Sequence, residues 1–378
     1  MVYLDSAATT YQKPPEVIQA VLEAMQCAAS PGRGSYPGAE NAGEIVFSAR
    51  KAAKKLFDLS DERHVIFTKN ATEALNIAIQ GYSNPGDEVI VSCLEHNAVI
   101  RPLETGRRKW RIAYFPAEYP DFAVAAFKKL ITRRTRLAVC TLVSNVFGCV
   151  LPCAEIGGIC RLYNIPFVVD ASQGAGCIGF SPESLNADAV CMPGHKGLYG
   201  PQGTGMLLLS GRTIPCSLIQ GGTGTVSAEY RQPVDLPEYF ESGTPNVPGI
   251  NGLTEGMRFV LKHTPDAILK HERKLINRLI EEVRDTFFMP GLADGSVRTG
   301  VLALVPKRGS VEEIEMRLIR AGICTRSGLQ CAPLAHRSQG TFGTGVIRIS
   351  TSLFNTEEEI DFVAGILTEQ HLGKEKSL

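Results

Sequence analysis

A cysteine near the C-terminus stands in a segment whose composition suits chemistry better than packing. Cys331 lies in TRSGLQCAPLAH (325–336), which is polar and turn-like, whereas a cysteine that fills a core belongs to a periodic apolar run. A thiolate is a strong nucleophile towards soft atoms. The chain contains 11 cysteines, so the function of Cys331 depends on the chemistry that other residues build.

Lys196 is the second candidate, because it lies between two predicted strands in the glycine-rich segment PGHKGLYGPQGTG (193–205). An isolated loop lysine is usually a solvated surface residue. The glycines do not form a dinucleotide-binding fingerprint, since their spacing is GxxGxG and no helical pattern follows. A P-loop is excluded as well, because neither GxxxxGKS nor GxxxxGKT occurs.

Two further features favour a chemical role for this lysine. Asp170 ends the apolar strand IPFVVD, where it could cap a helix or face a ligand. In TKNATEALN a strand leads into Ala71 and Thr72 at a helix start, which offers N–H groups and a hydroxyl to a phosphate. A lysine, an aspartate for the ring nitrogen and a phosphate-binding helix start are what a pyridoxal phosphate site requires.

The elements that must position these residues alternate between apolar strands and helical patterns. The pairs are HVIFT with KNATEALNIAIQGY, DEVIVSC with LEHNAVIRPLETGRRK, RLAVCTLVS with NVFGCVLPCAEIGGICRLY, and IPFVVDAS with QGAGCIGF. Strands that are nearly all apolar predict a doubly wound, mostly parallel sheet covered on both faces, an α/β fold. Ligands bind such sheets at the carboxyl ends of the strands.

From about Pro265 the pattern changes to a long charged helix followed by a smaller α+β unit. GVLALVP and GVIRISTS are predicted strands, and SVEEIEMRLIRAG and TEEEIDFVAGILTEQ are predicted helices. We therefore expect a large domain at 14–255, and a small domain that combines 1–13 with 256–378 and carries the Cys331 loop.

Composition excludes several classes of function. Lys and Arg total 39, and so do Asp and Glu, which gives no preference for nucleic acid or an acidic membrane. No apolar run approaches the ~18 residues of a membrane span, and Met1 leads into VYLDSAATT without a signal-peptide pattern. Scattered cysteines favour a reducing cytoplasm. The spacing of Cys149, Cys153 and Cys160 is not that of a zinc site, and we expect no metal.

Along nearly its whole length the chain resembles a known family. The segments that carry the resemblance are YLDSAATT, FTKNATEALN, EHNAVI, SNVFG, VDASQ, GHKGLYGP, FESGTPN, RSGLQCAP, and IRIS followed by FNTEEEID. They are similar to those of the cysteine desulfurases and selenocysteine lyases of the class V aminotransferase family, which are pyridoxal phosphate enzymes of fold type I. The resemblance implies that fold, a homodimer and L-cysteine or L-selenocysteine as substrate.

The resemblance also implies a role for each matching residue. Lys196 would form the Schiff base with the cofactor and move the substrate Cα proton, and His96 would lie against the cofactor ring and assist. The other cofactor contacts would be Asp170 to the pyridine nitrogen, Gln173 to the phenolic oxygen, and Ala71, Thr72, His195 and, from a second subunit, Thr244 to the phosphate. The substrate would meet Asn145, Arg348, which binds its carboxylate, and Arg326. Cys331 would attack the substrate sulfur, become a persulfide and pass the sulfur to an acceptor protein.

Departures from the family pattern include Pro193, and several functions remain open. Pro193 stands where these enzymes usually carry Ser or Thr, so one phosphate hydroxyl is missing; Thr72, Thr244 or the 221–225 loop could replace it. The alternatives to a cysteine desulfurase are a selenocysteine lyase, a class V aminotransferase or β-lyase in which Cys331 is incidental, and a non-catalytic sulfur-relay protein.

Overall fold

The structure is a computed structural model that describes residues 1–32, 34–105, 111–113, 120–291 and 297–368. Its strands are β1 (Val2–Tyr3), β2 (Val65–Thr68), β3 (Glu88–Val91), β4 (Arg111–Ala113), β5 (Thr135–Thr141), β6 (Phe167–Asp170), β7 (Ala189–Pro193), β8 (Gly205–Leu209), β9 (Phe287–Phe288), β10 (Val301–Pro306), β11 (Ile323–Cys324), β12 (Arg326–Gly328) and β13 (Val346–Ser350). Its helices are α1 (Pro15–Cys27), α2 (Pro37–Leu56), α3 (Ala71–Tyr82), α4 (Asn97–Thr105), α5 (Pro120–Leu130), α6 (Cys153–Leu162), α7 (Val247–His263), α8 (Pro265–Val283), α9 (Val311–Arg320), α10 (Pro333–Ser338) and α11 (Glu357–Thr368).

A seven-stranded sheet forms the centre of the larger unit, in the order β2-β8-β7-β6-β5-β3-β4. Neighbouring strands from β7 to β4 are parallel, and β8 runs antiparallel to both β7 and β2. The mostly parallel sheet predicted from the alternating strands and helices is therefore present.

The strands are apolar throughout because both faces of this sheet are buried. Val89 and Val91 of β3 belong to one core cluster, while Ile90 belongs to the cluster on the other face. In β6 the neighbours Val168 and Val169 divide in the same way, and all five side chains are fully buried. Successive strand residues point to opposite faces, so this division shows helices and loops covering the sheet on each side.

One predicted helix is wrong. The segment 173–180, QGAGCIGF, forms turns, and no helix occurs between 171 and 188. Gly176 has a φ of +98°, and a Cβ there would lie 2.0 Å from the Gly197 carbonyl oxygen. Gly176 thus lets the backbone of this segment pack closely against the backbone of the Lys196 loop, and its positive φ is not compatible with a helix. The ends of two other helical patterns, 106–109 and 369–370, lie outside the described residues.

The smaller unit is an antiparallel sheet in the order β12-β13-β10-β9, with α8, α9 and α11 contributing to its core. The chain start joins it, because β1 pairs with β11. Helix α9 begins at a capping box, in which Ser310 and Glu313 each accept the other's backbone N–H. The predicted boundary between 14–255 and the remaining residues stays a prediction, and α7 spans residue 255.

Within the described residues, no helix is long and apolar enough to cross a membrane. In the same residues, no three His, Cys, Asp or Glu side chains lie close enough together to hold a metal ion.

Candidate active site

A cavity of about 190 Å³ opens at the carboxyl ends of the central strands. Its lining comprises Asn70, Ala71, Thr72, His96, Ala98, Thr141, Asn145, Asp170, Ser172, Gln173, Pro193, His195 and Lys196. Eight of the predicted site residues thus come together, although they end or follow β2, β3, β5, β6 and β7 in distant parts of the chain. The parallel arrangement explains this, since it brings the carboxyl ends of these strands to one edge.

Lys196 and Asp170 form the charged part of this cavity. Lys196 follows β7, and the surrounding protein, which displaces water, lowers the pKa of its amine to about 8, while Asp170 acts in the opposite direction. Asp170 ends β6 with 3 % of its surface exposed, and its Oδ1 accepts the Ser172 N–H at 2.9 Å. No helix starts here, so the carboxylate is not a helix cap and is available to a cationic group.

Burial lowers the pKa of both histidines of the cavity, which favours their neutral forms. The Nδ1 of His96 accepts the Ala98 N–H at 3.0 Å, which leaves Nε2 as the protonated nitrogen, and burial lowers the pKa of His96. The pKa of His195 is lowered to about 4, mainly by burial and further by Lys196 and Lys13. Its Nδ1 lies 3.0 Å from the Thr9 hydroxyl. Each ring can therefore donate one hydrogen bond without adding a charge.

The start of α3 forms one end of the cavity. Ala71 and Thr72 occupy the first turn, where backbone N–H groups have no partner within a helix. Thr244 does not reach this cavity. It lines a separate one of about 210 Å³ that contains Phe67 and Gly205, so its predicted contact with a second subunit remains a prediction.

Unpaired polar atoms mark the opposite side of the site. The Nδ2 of Asn145 donates to the Gln330 carbonyl at 2.7 Å, but its buried Oδ1 has no partner in the described part of the chain. The Nε of Arg348 is likewise buried without a partner among these residues. Gln173 donates through Nε2 to the Ala7 carbonyl at 2.8 Å. Buried polar atoms are rarely left unpaired, so those of Asn145 and Arg348 are free to bond a polar ligand, although Asn145 lines the cavity and Arg348 does not.

Asp5, to which the sequence analysis assigned no role, forms ion pairs with both Arg326 and Arg348. Arg326 and Arg348 lie opposite each other on β12 and β13, and Asp5 bridges them at 2.9 Å to Arg326 Nη2 and 2.8 Å to Arg348 Nη2. Burial lowers the pKa of Arg348, and Asp5 opposes this. Asp5 thereby offsets the repulsion that two like charges at opposed positions would otherwise cause.

The Cys331 loop is attached directly to the cavity wall. The Cys331 carbonyl accepts the Asn97 N–H at 2.7 Å, next in sequence to His96. Cys331 itself is exposed, as are only Cys27 and Cys216 among the 11 cysteines. The pKa of Arg326 is raised, mainly by its hydrogen bond to Asp5; Cys331 makes a small contribution in the same direction. One exposed thiol therefore lies in a loop bonded to the site.

These side chains fit pyridoxal phosphate. An amine with a lowered pKa, a buried carboxylate, neutral histidines and an open helix start correspond to the aldehyde, the ring nitrogen, the ring face and the phosphate of that molecule. Asn145 lines the same cavity, and Arg348 donates to the Asn145 carbonyl at 3.0 Å. Pro193 lines the cavity, so the hydroxyl that relatives carry there is absent.

Comparison with known proteins identifies the family. Residues 2–363 match the family model "Aminotransferase class-V". This chain belongs to the class V aminotransferase family. Among its relatives, a probable cysteine desulfurase of Methanothermobacter thermautotrophicus is 31% identical over 97% of this chain and 94% of that protein, and one of Borreliella burgdorferi is 28% identical over 97% and 91%.

Solved structures of cysteine desulfurases share the fold over nearly the whole chain. The apo structure of a cysteine desulfurase from Thermococcus onnurineus has a TM-score of 0.89 and 27% identity, and covers 97% of this chain and 93% of that one. The cysteine desulfurase CsdA from Escherichia coli gives 0.85 and 25%, with 97% and 93% covered. The predicted fold type I of pyridoxal phosphate enzymes, a large mostly parallel sheet with a small α+β unit, is confirmed.

Sequence patterns missed several residues that shape the site. Asp5 lies within YLDSAATT, but no spacing relates it to Arg326, 321 positions away. Glu95 is fully buried beneath the cavity, where its Oε1 accepts the Thr141 N–H at 2.8 Å and burial raises its pKa to about 8. Its position beside His96 was the one available signal. The contacts of Gln330 and His336 could not be read from any pattern.

Proposed function

We propose that the protein is a pyridoxal phosphate-dependent cysteine desulfurase, which converts L-cysteine to L-alanine and receives the sulfur as a persulfide on Cys331. The observation that carries this proposal is the 2.7 Å hydrogen bond from Asn97 N–H to the Cys331 carbonyl. It attaches the backbone of an exposed cysteine to the residue that follows His96, and His96 lines the cavity together with Lys196. Relatives named cysteine desulfurase support the same conclusion.

The cofactor would be held by the residues that line the cavity. Lys196 would take the aldehyde, Asp170 the ring nitrogen, Gln173 the phenolic oxygen, and Ala71, Thr72 and His195 the phosphate, with His96 against the ring. When bound, pyridoxal phosphate acidifies the substrate Cα–H and stores the electrons released there. Thr244 of a second subunit would complete the phosphate site.

The chain's own residues would bind and orient the substrate. Arg348 offers a buried guanidinium with an unpaired Nε, which suits the substrate carboxylate. Asn145 offers its unpaired Oδ1 to the substrate amino group. Arg326 is half-exposed and would lie towards the entrance.

Proton transfer would fall to Lys196 and sulfur transfer to Cys331. The amine of Lys196 can accept the Cα proton near neutral pH because its pKa is lowered to about 8. The Cys331 thiolate attacks the substrate Sγ, so the substrate Cβ–Sγ bond breaks and a sulfur–sulfur bond forms. The balance is L-cysteine plus the Cys331 thiol, giving L-alanine plus the Cys331 persulfide.

The enzyme would act as a cytoplasmic homodimer and pass its persulfide sulfur to an acceptor protein. The exposure of Cys331 supports transfer to a second protein, because an acceptor thiol must reach the terminal sulfur.

The test measures alanine release from L-cysteine with a reductant, and intact mass without one. We expect alanine from the wild type, a mass gain of one sulfur at Cys331, and loss of both in Cys331→Ala. The matched control is Cys27→Ala, which removes another exposed thiol and should behave as the wild type. Equal alanine release by Cys331→Ala would make the thiol incidental. Turnover with L-selenocysteine alone would identify a selenocysteine lyase.

A further inference from the structure

We propose that His336 and Gln330 are positioning residues, which hold the backbone of Cys331 in a left-handed conformation beside His96. This inference rests on the proposed function, because it concerns how the sulfur-accepting thiol is kept in place.

The Cys331 loop is strained at two consecutive positions. Gln330 has a φ of +41° and Cys331 a φ of +56°. This left-handed region costs residues with a Cβ free energy, so they keep it only where their surroundings impose it. Neither residue is Gly or Asn, the types that tolerate this conformation best. Cys331 is exposed, so its own side chain supplies little restraint. The restraint must come from its neighbours.

The side chain of Gln330 supplies part of this restraint. It is 8 % exposed, and its Nε2 donates to the carbonyls of Arg326 and Val346, both at 3.3 Å. Since both partners are acceptors, the amide nitrogen must face them and the amide oxygen must face the other way. The Oε1 of Gln330 lies 3.1 Å from the Nε2 of His336. The amide is thereby bonded on both sides.

His336 anchors this amide in the core. Its side chain is fully buried, and its Nδ1 lies 2.8 Å from the Thr341 hydroxyl. Burial lowers the pKa of His336, which keeps the ring neutral. Because Gln330 Oε1 can only accept, the single ring proton belongs on Nε2, and Nδ1 accepts from Thr341. The mechanism proposed for sulfur transfer does not use this buried, doubly bonded histidine.

Two further hydrogen bonds hold the peptide groups between these anchors. Asn145 Nδ2 donates to the Gln330 carbonyl and Asn97 N–H to the Cys331 carbonyl, each at 2.7 Å. The loop is therefore attached through the Gln330 amide on one side and through the cavity wall on the other. Without the His336 bond, Gln330 can relax towards ordinary φ values, and Cys331 would leave its place beside His96. A displacement of about 1 Å at a reacting group can cost about 100-fold in rate.

The experiment compares His336→Leu, which keeps bulk but removes both nitrogens, with His336→Gln, whose amide nitrogen can replace Nε2. We expect His336→Leu to lower kcat for alanine release about 10- to 100-fold, with the KM for L-cysteine and the cofactor absorbance within about twofold of wild type. His336→Gln should restore most of the loss. The control is His271→Leu, which removes a half-buried histidine of α8 that is bonded to the Asn355 carbonyl and not to this loop.

Hydrogen exchange gives a readout that does not require turnover. Peptides covering 326–336 should exchange about 10-fold faster in His336→Leu and at the wild-type rate in His271→Leu. Gln330→Met, which removes the amide but leaves the core intact, should reproduce both changes if His336→Leu does not fold. Exchange and kcat both within twofold of wild type would overturn the proposal, as would a kcat loss that His336→Gln does not restore. If the wild type turned over neither amino acid, the proposed function would fail while the exchange rates still decided the role of His336.

Discussion

Replacing Asp5 by asparagine tests the arginine pair most directly. Asp5→Asn keeps the shape of the side chain but removes the charge between Arg326 and Arg348, which lie opposite each other on β12 and β13. Arg348 is 3 % exposed, so it cannot exchange this partner for water. Arg326 is half-exposed and can.

The two arginines therefore contribute unequally to the expected loss. Removing one partner of a buried ion pair costs about 3–5 kcal/mol, whereas an exposed pair contributes about 0–1 kcal/mol. Arg348 keeps its 3.0 Å hydrogen bond to the Asn145 carbonyl, and the new amide still offers an oxygen. We therefore expect a loss near the lower end, about 3 kcal/mol in the free energy of unfolding.

The assay is urea unfolding followed by circular dichroism, with Asp361→Asn as the matched control. Asp361 also pairs with an arginine, Arg278, but both side chains are about half-exposed, so water can replace the lost partner and the urea midpoint should stay close to that of the wild type. Adding Arg326→Gln to Asp5→Asn should recover about 0.2–1 kcal/mol, because it removes the repulsion across the strands. Equal urea midpoints for Asp5→Asn and Asp361→Asn would refute a structural role for the Asp5 charge.

Three further predictions concern groups in and beneath the cavity. Lys196 should form borohydride-reducible adducts with pyridoxal phosphate at a rate that rises around pH 8, since its pKa is lowered to about 8; peptide mapping that places the midpoint above pH 10 would contradict this. Burial raises the pKa of Glu95 to about 8 from 4.5. The stability that protonated Glu95 contributes is therefore fully present below pH 4.5 and is lost as the pH rises through 8. Glu95→Gln cannot titrate, so its free energy of unfolding should rise relative to that of the wild type between pH 5 and pH 9, by at most about 1.4 kcal/mol per pH unit. Urea unfolding at pH 5, 7 and 9 measures this difference. A difference that does not change with pH would refute the pKa shift. Gly176→Ala should lower stability by more than about 1 kcal/mol in thermal unfolding, because of its positive φ and a contact of 2.0 Å to the Gly197 carbonyl. Gly179→Ala, with nothing within 4 Å, should stay within about 0.5 kcal/mol, and equal effects would exclude this cause.

Local patterns predicted most of the elements, and the failures have physical causes. The apolar strands and the amphipathic helices α3, α8, α9 and α11 formed where their periodicity indicated, because burial of an apolar face is a local requirement. The helix expected at 173–180 did not form, since its glycines allow a backbone approach to Gly197 that matters only in the folded chain. The helix α1 formed without having been predicted.

The sequence by itself determined which residue types could do the chemistry and at which sheet edge they would meet. Lys196, Asp170 and His96 each follow or end a strand, and parallel strands place such positions together whatever their distance along the chain. Only the tertiary structure decided how these groups are charged and held. Burial lowers the pKa of Lys196 and raises that of Glu95, while the contacts of Asp5 with the arginines and of His336 with Gln330 join strands, helices and loops whose distance in space no local pattern encodes.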